Sequence, residues 1–251
     1  MSFTVPAAYD RFMGRYSVLL APQLADLADV RAGQRALDVG CGPGALTGEL
    51  VKRLGAEPVS AVDPSEPFVA AVTERYPGVD ARRALAEELP FPDLTFDATL
   101  AQLVVHFMND PVAGLAEMRR VTRSSGVVAA CVWDHAGDQG PLSLFWTTAR
   151  RHDSGVEDES ELPGVRQGHL GELFRDAGLD QVEETRLTVV VEHATFEEWW
   201  EPFELGVGPA GSYVTSLDPT GQVELRELMR EELPAAPFAL TAVAWAARGT
   251  V

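Results

Sequence analysis

The segment Leu37-Asp38-Val39-Gly40-Cys41-Gly42-Pro43-Gly44 concentrates the residue types that bring a backbone close to a ligand. Glycines turn the chain sharply and leave no Cβ in the way. A helix that follows such a turn aims free N–H groups and the positive end of its dipole at the ligand. A second acid, Asp63, stands 19 residues after Gly44. A carboxylate there can accept two hydrogen bonds from ribose hydroxyls. Gly40, Gly42 and Ala45 also satisfy the loose G-x-G-x-x-G/A pattern of nicotinamide sites, so the glycines alone leave two ligand classes open. Asp38 favours one of them. Beside a pyrophosphate a carboxylate is repelled, whereas a ligand carrying an amino group and a sulfonium suits it. Asp38 has a second possible role, accepting from N–H groups of the turn.

The other chemistry-bearing residues lie further on. His106 is the best candidate for a general base among five histidines, and His135 ranks second. A base assists transfer to an alcohol, phenol or amine. A lone histidine in such a place lines a pocket more often than it moves a proton. Trp133, Trp146 and Tyr213, with Phe145, Trp199 and Phe203, are wall candidates for an organic ligand, or staples of the surrounding segments to the core. The acidic run Glu157-Asp158-Glu159 reads as solvated loop. No His/Asp/Glu spacing reads as a metal site, and no Ser/His/Asp set is evident.

These residues need a frame to hold them. Residues 35–39 form a short apolar run ending in glycines, which reads as a buried strand entering a tight turn. Leu46, Leu50 and Leu54 mark a helix over 45–54. Strands are predicted at 58–62, 79–84, 96–101 and 126–133, and helices at about 65–76 and 111–122. The alternation indicates an α/β fold with a doubly wound, mostly parallel sheet. Ligands of such sheets bind beyond the carboxyl ends of the strands, where the glycine turn, Asp63, His106 and His135 all fall. After 135 the pattern changes. A helix is expected at 168–177, strands at 186–193 and 238–247, and a helix at about 220–233. Segments 137–166 and 194–234 read as covers on one domain spanning 1–251, whose core is about 30–135 and 167–250 and whose N-terminal cap is 1–30.

Composition narrows the partners. The chain has 251 residues, 46 % hydrophobic and 23 % charged, with a formal net charge of −18. Surfaces that bind nucleic acid or anionic lipid are normally basic, so neither partner is expected. The sequence shows no signal peptide or spanning segment, and two cysteines imply no disulfide framework, so a cytoplasmic protein is expected.

Residues 37–44 resemble the first motif of class I S-adenosylmethionine-dependent methyltransferases. Ala61-Val62-Asp63-Pro64-Ser65 is similar to the second motif. Ala86-Glu87-Glu88-Leu89-Pro90-Phe91, followed by Leu94-Thr95-Phe96-Asp97, resembles the adenine-side loop and fourth strand. Residues 102–107 with Asp110-Pro111 resemble the segment that follows. The resemblance covers about 33–135 and implies a seven-stranded, Rossmann-like sheet with an antiparallel closing strand. It implies S-adenosylmethionine as cofactor and these contacts: Gly40, Cys41 and Gly42 at the backbone turn, Asp38 near the amino group, Asp63 and Pro64 at the ribose, Ala86 and Glu87 at adenine, and Ala101 and Gln102 at the methionine end. Leu85 departs from the pattern, since many members carry an acid there. Family members also often close an N-terminal Tyr or Arg over the cofactor. This points to Tyr9 or Tyr16 near the sulfonium and Arg15 on the cofactor carboxylate, against ordinary packing of a surface helix.

The function expected is in-line methyl transfer to a small-molecule acceptor, partly aromatic or hydrophobic, with His106, Trp133, His135, Trp146 and Tyr213 on the acceptor side. The alternatives are a nicotinamide-dependent oxidoreductase, or a protein that binds the cofactor without transferring methyl groups.

Overall fold

The computed structural model describes residues 6–251, so the first five residues of the expected N-terminal cap lie outside it. Seven strands form one sheet in the order β3-β2-β1-β4-β5-β7-β6. The central strand β1 (Ala36–Val39) is buried along its whole length. It pairs in parallel with β2 (Val59–Asp63) and β4 (Phe96–Gln102), and β3 (Asp80–Arg83) adds to β2. A strand covered on both faces is apolar on both, which is why the run at 35–39 does not alternate, and Asp38 at its carboxyl end is the exception. β5 (Thr122–Trp133) continues the parallel set. β7 (Phe238–Thr250) runs antiparallel both to β5 and to β6 (Asp180–His193), closing the sheet.

Two strands are longer than their sequence pattern indicates. β5 starts at Thr122, not 126, because Thr122 pairs with Phe96 before the register shifts and Val127 pairs with Ala98. Ser125, with φ of 64°, makes the irregularity. β6 reaches back to Asp180 through residues that are mostly exposed and polar. An edge half-strand of this kind carries no apolar signal.

Helices cover both faces. α2 (Arg15–Leu27) and α3 (Ala45–Leu54) pack on one side through Leu20, Leu24, Leu46 and Leu50. α5 (Pro111–Val121) and α7 (His169–Asp176) pack on the other, through Leu115, Met118 and Phe174. Asp110 caps α5 by accepting from the N–H of Ala113. α4 (Glu66–Arg75) follows β2. Ahead of α2 the chain is already helical, as α1 (Pro6–Tyr9) and a five-residue π-turn over Asp10–Gly14.

The covers are more regular than their composition indicates. The first holds α6 (Ser143–His152), and the second holds three helices: α8 (Phe196–Glu204), α9 (Gly208–Ser216) and α10 (Pro219–Glu232). The start of α8 is legible in hindsight, since Thr195 accepts from the N–H of Glu198 at 3.1 Å. α9 opens Gly-Pro-Ala-Gly, a poor helical sequence, and buries Ala210 and Val214 against its neighbours. An aromatic cluster joins the covers. Phe145 stacks on Phe203 with centroids 4.6 Å apart, and Phe12 meets Phe203 edge-on at 5.0 Å. Among the described residues, no helix is long and apolar enough to cross a membrane.

Candidate active site

At the carboxyl ends of β1, β2 and β4 lies a cleft of about 500 Å³. That is within the usual range for a small-molecule site. Its floor is the glycine turn. The N–H groups of Gly40 and Cys41 both donate to the carbonyl of Val62, at 2.8 and 2.9 Å, lacing the turn to β2. The two lining glycines do different work. A Cβ on Gly40 would stand 2.3 Å from Val104, so this glycine lets the segment after β4 pack against the turn. At Gly42, with φ of +52°, a Cβ would meet no protein atom within 4 Å. Gly42 lines the cleft, so that open space belongs to its floor.

Asp63 ties the rim together. One carboxylate oxygen accepts from the N–H of Gly42 at 2.9 Å, the other from the N–H of Ser65 at 2.8 Å. Burial raises its pKa, against the pull of those two donors. Each oxygen has two lone pairs, so the carboxylate retains capacity for ligand hydroxyls. Pro64, Ala86 and Glu87 line the same cleft. Glu87 accepts from the N–H groups of Asn109 and Asp110, at 2.7 and 3.2 Å, holding the loop after β4 against the loop after β3. Gln102 lines the far end. Its amide nitrogen donates to the carbonyl of Ser17, and its oxygen is buried with no partner.

Three residues expected at the cofactor lie behind the cleft wall. Cys41 and Ala101 are buried and do not face it. Ala101 points into the core from within β4, and contact at that place passes to Gln102 and Leu103. Asp38 is fully buried and accepts from the hydroxyl of Thr47, on α3, at 2.6 Å. Its other oxygen has no partner. Burial pushes the carboxyl up to about 7, and the nearby Asp63 adds to the rise. An acid left half-satisfied in this way suits a ligand ammonium group better than a pyrophosphate.

The N-terminal expectations divide. Tyr9 lines the cleft and meets Phe68 edge-on at 5.7 Å. Tyr16 does not reach it, packing on Trp133 with its hydroxyl 3.3 Å from Nε2 of His193. Arg15 is placed elsewhere: it forms an ion pair with Glu198 at 2.8 Å and donates to the carbonyl of Glu192. Its helix turns it toward α8 and β6, so it clamps a cover to the sheet edge. α2 is amphipathic, burying Leu20 and Leu24 on the sheet and exposing Val18 and Leu19, so Tyr16 takes the ordinary packing of a surface helix.

Beside the cleft, and sharing Tyr9, Leu103 and Phe107 with it, is a small cavity of about 40 Å³. Its polar lining is His106, His135 and Glu159, with Trp133 alongside. His106 sits in a 3-10 turn (Val105–Phe107) just after β4, and His135 just after β5. Burial pushes His135 down to about 4 and His106 well below the ordinary histidine range, so both rings are neutral at pH 7. Glu159 corrects the solvated-loop reading. It is 5 % exposed, and burial pushes its carboxyl up to about 7. The indole N–H of Trp146 donates to it at 3.0 Å. Trp146 and Tyr213 do not line the cavity. Trp146 acts on it through Glu159, and Tyr213 packs against Phe145 and Trp146.

Sequence reasoning missed two residues here. Glu159 carried no signal, because its burial depends on a cover folding down. Leu103 is in the left-handed region, with φ of 62°, where the chain leaves β4 between cleft and cavity. Strain in a non-glycine residue gathers at functional sites, but it cannot be read from the residue type.

Comparisons with known proteins fall on the same region. Residues 37–130 match the family described as "Methyltransferase domain". A phosphatidylethanolamine N-methyltransferase of Cereibacter sphaeroides is 30 % identical over 189 residues, covering 72 % of this chain and 87 % of that protein. An uncharacterized 37.1 kDa protein of a Streptomyces fradiae transposon is 33 % identical over 159 residues, covering 61 % of this chain. The alignment spans only 45 % of that relative, under half its length. Among solved structures, the YcgJ protein of Bacillus subtilis superposes with a TM-score of 0.60 at 17 % identity, over 94 % of this chain and 97 % of that one. The family match decides against the nicotinamide reading.

Proposed function

The chain belongs to the class I S-adenosylmethionine-dependent methyltransferases, and from that premise we propose that it methylates a small-molecule acceptor held beside the cleft. The observation that carries this reading is the pairing of the two spaces: a cleft floored by Gly42 and Asp63 opens, past Tyr9 and Leu103, on a cavity bearing two neutral imidazoles. The cleft residues fit the cofactor. Gly42 keeps the floor clear of a Cβ, Asp63 has lone pairs for ribose hydroxyls, and the half-satisfied Gln102 would serve the amino-acid end, with Asp38 buried behind the wall as a second half-satisfied acceptor. When bound, the cofactor supplies an electrophilic methyl group on a sulfonium. Tyr9 would offer its ring to that positive charge. In-line transfer asks the protein to hold the acceptor on the far side of the methyl group and to keep water out. The buried cavity suits both tasks once the covers move to admit the acceptor and close over it. On this reading His106 meets the acceptor.

Calorimetry with S-adenosylhomocysteine and with NAD tests the cleft. Asp63→Ala should weaken S-adenosylhomocysteine by about 1–3 kcal/mol, the cost of stranding the N–H groups and hydroxyls it serves. Unchanged affinity in a folded variant would remove Asp63 from the site. Transfer of labelled methyl groups to a panel of phenols, carboxylic acids and amines, including phosphatidylethanolamine, tests the acceptor. Tight cofactor binding with no transfer to any of them would favour a binding protein.

A further inference from the structure

The cavity lining brings together three side chains that the sequence keeps far apart. His106 comes from the turn after β4, His135 from the end of β5, and Glu159 from the first cover. They are 4, 6 and 5 % exposed. Each offers a ligand atom, and all of these atoms lie within 4.8 Å of one another. Nδ1 of His106 is buried with no hydrogen-bond partner. A sealed polar atom without a partner costs about 1–3 kcal/mol, so its presence at a cavity calls for a ligand.

We propose that His106, His135 and Glu159 bind one first-row divalent cation of the zinc type, with its open coordination position toward the cleft. Two imidazoles and one carboxylate make the donor set of three-ligand zinc sites that keep a position free. Magnesium and calcium prefer sets made only of oxygen. Donor atoms around tetrahedral zinc lie about 3.3 Å apart, given bonds near 2.0 Å. Nε2 of His135 is already 3.9 Å from Glu159. Small rotations about the side-chain torsions close the set. The outer contact is in place too: the indole N–H of Trp146 holds the second carboxylate oxygen of Glu159, the kind of bond that orients a metal ligand. Two neutral imidazoles and one carboxylate leave a bound dication with one positive charge. The ligand that matches it is an anionic oxygen, so the acceptor class is a carboxylate or phenolate. That last step rests on the methyltransferase reading; the metal site itself does not.

The test is a titration of chelator-treated protein with Zn²⁺ against a competing colorimetric chelator, and with Co²⁺ by visible absorption. One ion per chain is expected, with the intense cobalt bands of a low-coordinate site and no competition from Mg²⁺. Glu159→Gln, which preserves the shape of the cluster, should lose at least about tenfold in affinity, and so should His106→Ala. Trp146→Phe should weaken the ion by about tenfold while leaving all three ligands present. S-adenosylhomocysteine binding, followed in the same variants, should hold and so reports the fold and the cofactor cleft separately. No Zn²⁺ bound by wild type would overturn the proposal. So would Zn²⁺ bound as tightly by Glu159→Gln and His106→Ala, which would put the ion on other histidines such as His152 and His169.

Discussion

The cleft proposed for the cofactor and the cavity proposed for the acceptor adjoin, yet they are built in opposite ways. The cleft is made from the ends of successive strands and the turns that leave them. Its glycine turn and Asp63 lie within one strand–helix–strand unit, and backbone N–H groups do most of the holding. The cavity is made from side chains of distant segments, closed by covers that an aromatic cluster pins down. The cleft is open and about 500 Å³, whereas the cavity is about 40 Å³, room for a few water molecules at most. A conserved-size cofactor needs only a fixed backbone shape. An acceptor larger than water needs the covers to move. The two halves therefore answer differently to substitution, and each experiment below separates them.

Trp146→Ala should act most strongly, and on the acceptor half. Trp146 is 3 % exposed and spans the cover and Glu159, so its loss should cost about 3–5 kcal/mol of stability. Below the unfolding transition, methyl transfer should fall far more than S-adenosylhomocysteine affinity. Equal losses of both would show that the halves are one packing unit. Hydrogen exchange gives the same comparison without substitution: residues 137–166 and 194–234 should gain protection when cofactor and acceptor are both bound.

Gly42→Val should do the reverse. The branched side chain enters the cleft, and S-adenosylhomocysteine binding should drop by more than about 100-fold, while left-handed backbone strain costs only ~1–2 kcal/mol of stability. Gly40→Ala provides the contrast within the same turn. Its Cβ meets Val104, so thermal stability should fall. Normal binding by Gly42→Val would mean that the turn does not approach the ligand.

The third experiment is a pH titration of stability. The carboxyl of Asp38 is raised from 3.8 to about 7 by burial. Between those values the folded protein keeps a proton that the unfolded chain has released. Its contribution therefore falls as pH rises from about 4 to 7 and is flat above, an effect of a few kcal/mol at most. Asp38→Asn should remove that contribution and leave the like-signed one of Glu159, whose carboxyl burial also raises to about 7. Bound S-adenosylhomocysteine should remove the Asp38 contribution too, because its ammonium group stabilises the charged carboxylate. A slope unaffected by ligand would place Asp38 out of reach of the amino group.

Tyr213→Phe should have the smallest effect. The hydroxyl is buried with no partner among the described residues, so its removal should change stability by less than about 0.5 kcal/mol. A large loss of acceptor turnover alone would show that this hydroxyl meets the acceptor when the covers move.

The sequence by itself determined the parallel core and the cofactor half. The run at 35–39, the leucines of α3 and the helix opened by Pro111 are local signals, each set by a period or a turn residue within a few positions. The glycine turn and Asp63 are legible for the same reason, since strand, turn and helix follow one another in the chain. Even there the sequence did not separate Gly42, which opens on the cleft, from Gly40, which faces Val104. Tertiary structure decided that, as it decided that Arg15 turns to Glu198 and that Cys41 and Ala101 stand behind the wall. It also decided how the cavity closes, although His106, Trp133 and His135 were legible as strand-end candidates. Glu159 belongs to an acidic run that reads as solvated, and it is buried only because the first cover folds under Trp146 and against His135. A cleft made of consecutive turns leaves its mark on neighbouring residues. A cavity made where β4, β5 and a cover converge leaves only part of its mark: the strand ends point to His106, Trp133 and His135, but the contact that adds Glu159 joins positions with no periodic relation in the chain.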